Sequence, residues 1–146
     1  MTQDTEQAAI ASLLERHAQA IRDKNADAAL SVYASELVRY DLAPPLARAG
    51  AAALDRNTLT AWFDTWRGPI RYERRDFAIS VSGDMALGHG LVSIGGTKHE
   101  GYAGDVWTRQ TVGLRKRGGA GTIVHEHIST PFYMDGSLKA AVDLKP

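Results

Sequence analysis

Residues 105–132, DVWTRQTVGLRKRGGAGTIVHEHISTPF, hold two runs rich in β-branched, aromatic and alternating polar residues on either side of Gly118-Gly119. Such a pattern predicts a β-hairpin turning at the glycines. With the turn there, Leu114 is expected opposite Ile123, Val112 opposite His125, and Gln110 opposite His127. Residues two apart in a strand share a face. His125 and His127 are therefore predicted to point the same way as Gln110 and Ile123, with Glu126 on the other side. A face that mixes apolar and polar groups in this way reads as the wall of a pocket.

Further strands are expected at 70–81 and 85–94, with the hairpin itself supplying strands at 105–116 and 122–132. They are punctuated by SGD (82–84), GGTKHEG (95–101) and RGGAG (117–121). Symmetric pairing about TKHEG sets His89 opposite Gln110, on the pocket face. Its neighbours Gly88 and Gly90 would let a backbone or ligand approach closely. Trp107 and Arg109 then project from the opposite face, towards a dimer contact, with Arg109 expected to pair with Glu126. A bulge in a strongly curved sheet would reverse this, so Arg109 also stands as a pocket candidate.

The N-terminal part is helical in period. Ile10, Leu13, Leu14, Ala18 and Ile21 recur at helical spacing over 5–24, and His17 falls inside that stripe. Asn25 caps a second helix expected to run to about Ala34, and a short strand ends near Leu42, before Pro44-Pro45. Residues 51–66, through Leu54, Thr58, Trp62 and Trp66, return to helical spacing until Gly68-Pro69. Three helices followed by an antiparallel meander is the α+β pattern, with helices covering one face of the sheet. The other face needs cover, and a symmetric homodimer is the usual one.

Composition removes several classes of function. Over 146 residues, Lys+Arg and Asp+Glu both number 17, so no basic excess points to nucleic acid or an anionic membrane. The absence of cysteine removes disulfides, thiolate catalysis and thiolate zinc sites. No signal-type segment or long apolar run occurs, and a cytoplasmic location is expected. The glycine loops are hairpin turns rather than phosphate cradles, because no helix follows them.

The words YDLAPPL (40–46), DVWTRQTVGLRK (105–116), IVHEHISTPF (123–132) and the terminal DLKP (143–146) carry a resemblance. In these, and in the order of its elements, the chain resembles the NTF2-like superfamily, and within it the SnoaL-like and ketosteroid-isomerase-like bacterial proteins. The resemblance covers nearly the whole chain, 1–146, as one domain. It implies a cone of strongly curved, mostly antiparallel sheet closed by three N-terminal helices around a pocket. The superfamily includes isomerases, polyketide cyclases, dehydratases and non-catalytic association domains, so the fold alone does not give the reaction.

In the ketosteroid isomerases, the handled chemistry uses an Asp base beside an oxyanion hole formed by a Tyr and a protonated Asp. The family spacing puts Asp41 at the base position, nine residues before Gly50. It puts His17 at the oxyanion position, with Tyr33-Ala34 matching a Tyr-Ala pair. RQTVGLR (109–115) contains no acid to match the second oxyanion group. That departure argues against steroid isomerisation as such.

The competing readings are specific. Asp41 is either a general base or a turn-forming residue ahead of the prolines. The His125-x-His127 pair could hold a metal with His89 or Asp41 as third ligand, but pocket lining without metal or cofactor is the favoured reading. Trp62 and Trp66 are core or apolar pocket wall, and His99 is expected in solvent. The leading function is a cofactor-independent isomerase, cyclase or dehydratase acting on a small, largely apolar carbonyl compound. In it Asp41 removes a proton next to the carbonyl while His17 or His127 donates to the enolate. The alternative is a non-catalytic ligand-binding or homo-association module of the same fold.

Overall fold

The structure is a computed structural model, and residues 2–146 are described. Helix α1 (Gln3–Arg22) begins where Thr2 accepts a hydrogen bond from the Thr5 amide. Helix α2 (Ala26–Leu30) begins where the Asn25 side chain accepts from the Ala28 amide, as an N-cap Asn should. Strand β1 (Tyr33–Tyr40) and the short β2 (Arg48–Ala49) follow, then a 3-10 turn (Gly50–Leu54) and helix α3 (Arg56–Asp64), capped by Asp55. Four long strands complete the chain: β3 (Trp66–Ser82), β4 (Met85–Lys98), β5 (Ala103–Arg117) and β6 (Ala120–Ser129).

All six strands form one curved sheet in the order β2-β1-β6-β5-β4-β3, antiparallel except where β1 runs parallel to β6. The expected α+β architecture is present, with three α-helices among the described residues, and differs at the joints. The second helix stops at Leu30 instead of Ala34, because Tyr33 pairs with Ile123 and the Ile123 amide bonds the Val32 carbonyl at 3.0 Å. A long-range ladder there overrides local helical propensity. The third helix is split by the Asp55 cap, and Trp66 falls on β3 rather than on the helix. Among the described residues no helix is long and apolar enough to cross a membrane.

Two irregularities decide which side chains face inward. The Gly118-Gly119 turn is as expected, with Arg117 paired to Ala120, and both glycines adopt positive φ (56° and 83°). That is the two-residue hairpin geometry glycine favours. Leu114 then pairs with Ile123 as expected, but the next pair is Gly113 with His125, leaving Val124 as an extra residue in β6. From that bulge on, β6 is shifted by one, and Val112 faces Glu126 instead of His125. In β3, Asp76 and Phe77 together stand opposite the single residue Gly90, between the pairs Arg75–Leu91 and Ala78–His89, with Asp76 at φ 54°. Phe77 swings over β4, where a Cβ on Gly88 or Gly90 would come within 2.8 Å or 2.6 Å of its ring.

The helices cover the inner sheet face, α1 lying mainly across β3. The core has two apolar parts. One gathers Leu13, Leu14, Leu37, Val112, Leu114 and Ile123; the other gathers Ile21, Phe63, Trp66, Ile70, Val92 and Ile128. Between them lies a band of buried polar residues, His17, Gln110 and Glu126 among them.

Candidate functional site

Beside that polar band a cavity of about 190 Å³ opens between the sheet, α1 and α3. Ile21, Leu59, Trp62, Ile94 and Ile128 form its apolar wall; His17, Arg39, Asp41, Tyr72 and Glu126 bring the polar groups. β1 and the residue just past its end supply two of these by alternation. Leu37 is fully buried, and Arg39 and Asp41, on the same face, line the cavity, while Val38 and Tyr40 turn outward and are exposed.

The polar groups form a directed chain. Arg74 on β3 donates from Nε to Gln110 Oε1 (3.0 Å) and from Nη1 to the Leu14 carbonyl (2.5 Å), and its Nη2 lies 3.2 Å from His17 Nδ1. A guanidinium has no acceptor, so Nδ1 accepts and the imidazole proton is on Nε2. His17 Nε2 then donates to the Tyr33 hydroxyl (3.1 Å), which donates to Glu126 Oε2 (2.8 Å). Gln110 adds a donor to the same oxygen at 3.3 Å. The other oxygen, Glu126 Oε1, lies 3.0 Å from Arg39 Nε, which is 3.5 Å from Asp41 Oδ2. Nε is buried and makes these ion pairs without a well-aligned hydrogen bond.

The chain's electrostatics follow from burial. Burial holds the His17 pKa well below its ordinary value, and the Arg74 and Arg39 charges push the same way. Burial raises the Tyr33 pKa well above that of a free phenol, with the Glu126 charge adding to it. For Arg39 burial works against the cation, but Tyr33, Glu126 and Asp41 outweigh it and raise its pKa. Asp41 is the more open acid: its side chain is 30% exposed, and Oδ1 accepts from the Leu42 amide at 2.7 Å.

The structure brings together His17, Asp41 and Trp62 around the cavity and places Gln110 in the buried chain behind it. Trp66 is in the core instead of the cavity wall, edge-on to Trp62 and with Lys98 Nζ 3.9 Å above its ring. His125 and His127 do not face the cavity; the Val124 bulge sends both to the outer sheet face. There His125 donates from Nδ1 to the Val38 carbonyl (2.8 Å), and Tyr40 meets both imidazoles edge-on. His89 pairs with Thr111 rather than Gln110 and is exposed on the same outer face, because Gly90 takes the position opposite Gln110. The glycines beside His89 make room for Phe77, not for a ligand. Arg109 is also outside and exposed, donating to Ser129 at 3.3 Å instead of pairing with the inward Glu126. His99 is exposed, as expected.

Asp41 and the His-x-His pair thus lie on opposite faces, and among the described residues no three acidic or imidazole groups converge as a cation cage. His17 lines the cavity, but both of its ring nitrogens are engaged by Arg74 and Tyr33. Sequence reasoning missed Arg39, Arg74, Tyr33 as a chain member and Glu126. Arg39 was within reach, since it shares Asp41's strand face two residues earlier. Glu126 was hidden by a bulge that leaves no mark in the alternation.

A pocket lined by a polar cluster, enclosed between helices and the inner face of a curved six-stranded sheet, defines a protein of the NTF2-like class. The family model of the SnoaL-like domain matches residues 10–133, and the chain belongs to that family. None of the curated proteins matches the sequence. Among solved structures it is similar to an NTF2-like protein of unknown function from Pseudomonas putida, with 32% identity over 100% of this chain and 99% of that one and a TM-score of 0.85. It shares its fold with a candidate dehydratase of the NTF2-like family from Streptomyces avermitilis (16% identity, 88% and 97% of the two chains, TM-score 0.75). It also shares it with a ketosteroid isomerase-like protein from Erwinia carotovora atroseptica (20% identity, 85% and 95% of the two chains, TM-score 0.70).

Proposed function

We propose that the chain is a cofactor-independent enzyme of the isomerase, cyclase or dehydratase type that removes a proton next to the carbonyl of a small, largely apolar compound. The observation that carries this reading is the juxtaposition of Asp41 and Arg39 at an apolar cavity. Asp41 offers a partly exposed carboxylate, and among the described residues nothing accepts a hydrogen bond from the Arg39 guanidinium beside it. In this reading Asp41 takes the α-proton, the electron pair moves onto the carbonyl oxygen, and Arg39 donors stabilise the enolate oxygen. Arg39 replaces His17 and His127 as the electrophile, because His17 is occupied and His127 is outside. The fold relatives described as a candidate dehydratase and as ketosteroid isomerase-like are consistent with this chemistry.

The test is exchange of α-protons in D2O, followed by proton NMR, across a panel of small cyclic and aryl ketones. The intact protein is expected to accelerate exchange for at least one of them. Asp41→Asn should abolish that acceleration while leaving the fold unchanged; equal rates in the two proteins would remove Asp41 as the base.

A ligand-binding module without chemistry is the second reading. It is favoured by one observation, that both Asp41 oxygens already have partners, the Leu42 amide and Arg39. A homodimer through the outer sheet face, which exposes Tyr40, Met85 and Leu87, is proposed with either reading, and light scattering of the full chain tests it.

A further inference from the structure

We propose that Glu126 makes this cavity a receptor for uncharged carbonyl compounds and turns away carboxylates. The proposal rests on the reading of the cavity as a small-molecule site and names the class of molecule it takes. An arginine set among apolar walls ordinarily marks a carboxylate or phosphate site, because its planar fork matches those anions. Arg39 has that setting. Its side chain is 18% exposed, its Nε is buried, and it lines the cavity, so the accessible part of the guanidinium faces the cavity space.

Its charge, however, is already matched. Glu126 Oε1 sits 3.0 Å from Arg39 Nε and Asp41 Oδ2 sits 3.5 Å from it. Glu126 cannot turn away. Tyr33 and Gln110 hold its second oxygen, at 2.8 Å and 3.3 Å, and the residue is 1% exposed. Around the whole cavity three carboxylates, Asp41, Asp55 and Glu126, face two guanidiniums, Arg39 and Arg48. The remaining basic group, His17, is held neutral by its burial. A carboxylate against Arg39 would meet the Glu126 and Asp41 charges at short range in a poorly solvated space, in a cavity whose lining carries one more carboxylate than guanidinium. A neutral carbonyl oxygen accepts from the same N–H groups without that repulsion.

Size narrows the class further. At about 190 Å³, the cavity is somewhat larger than an apolar cavity of ~150 Å³ that takes up one benzene. That space suits a single ring with a short substituent, its apolar body against Leu59, Trp62 and Ile94.

Three probes of one shape test this: acetophenone, benzoate and benzylamine, each titrated into the full-length protein and followed by protein-observed NMR. Acetophenone is expected to shift the Leu59 and Trp62 signals and to bind at least tenfold more tightly than benzoate. In Glu126→Gln, which removes the charge and keeps one acceptor oxygen for Tyr33 and Gln110, benzoate should gain at least tenfold relative to acetophenone. Should that variant fail to fold, Asp41→Asn, at a partly exposed position, removes the other facing charge and should move the ratio the same way. Benzoate bound as tightly as acetophenone by the intact protein, or a ratio unmoved by charge removal, overturns the proposal. Benzylamine bound most tightly overturns it in favour of a cation site. Failure of all three to bind overturns it together with the small-molecule reading, whereas preferential benzoate binding overturns this proposal alone.

Discussion

His17 Nδ1 lies 3.2 Å from Arg74 Nη2, and because the guanidinium only donates, the imidazole is held as the Nε2-protonated neutral form. This sets the direction of every later hydrogen bond, through Tyr33 to Glu126. His17→Gln can keep both contacts, accepting with its carbonyl and donating with its amide, whereas His17→Leu leaves Tyr33 and Arg74 each short of a partner. We expect His17→Leu to lose ~1–3 kcal/mol in urea unfolding and His17→Gln to lose less. Nitrogen NMR of the intact protein should show the Nε2–H tautomer; an imidazole protonated on Nδ1 would contradict the chain.

Acid sensitivity follows from the same residue. Burial keeps the folded His17 pKa well below its ordinary 6.5, so on acidification the unfolded chain takes up this proton first. The unfolded state then binds more protons than the folded one, and stability falls as pH drops below about 6.5, until the folded-state pKa is reached. Unfolding free energy measured between neutral pH and the acid limb should show this slope, and His17→Gln should flatten it.

Arg39→Met leaves Glu126 buried without its cation. Removing one partner of such a pair costs ~3–5 kcal/mol when burial is complete, and Arg39, being partly open to the cavity, should come at the low end. Arg71→Met breaks the Arg71–Asp105 pair, in which both side chains are well exposed, and should lose under ~1 kcal/mol. Comparable losses in the two variants would contradict the buried pairing described for Glu126.

Gly90→Ala would place a Cβ 2.6 Å from the Phe77 ring and 2.8 Å from its Cα, so backbone must move. A loss of ~1–3 kcal/mol is expected. At Gly113 the nearest atom to an added Cβ is His125 Cβ at 3.7 Å, an ordinary contact, and Gly113→Ala should be close to neutral by thermal melting.

His127→Ala, on the outer face, should leave acetophenone binding unchanged and alter stability by no more than ~0.5 kcal/mol. A loss of ligand binding in this variant would restore the inward reading of the His-x-His pair.

Much of the architecture was legible because its signals are local. The apolar period of residues 10–21 predicts α1 with His17 on its buried stripe, and the glycine pair at 118–119 predicts the hairpin that pairs Leu114 with Ile123. The placement of Asp41 and Trp62 at one cavity also agrees with the reading from sequence. What failed did so at identifiable points. Tyr33 left its helical stretch for β1 because pairing with β6 outweighed propensity.

By itself, then, the sequence determined the order of helices and strands, the turn of the last hairpin and the burial of His17, since each depends on residues close together in the chain. The choice of Glu126 over His125 and His127 for the interior belonged to the tertiary structure. One extra residue, Val124, reverses every side chain beyond it, and nothing in a period-two pattern announces where a ladder will admit a bulge. Only the folded sheet, packed against α1, placed a carboxylate where Tyr33 and Gln110 donate to it and the Arg39 charge faces it, and together these allow it to be buried.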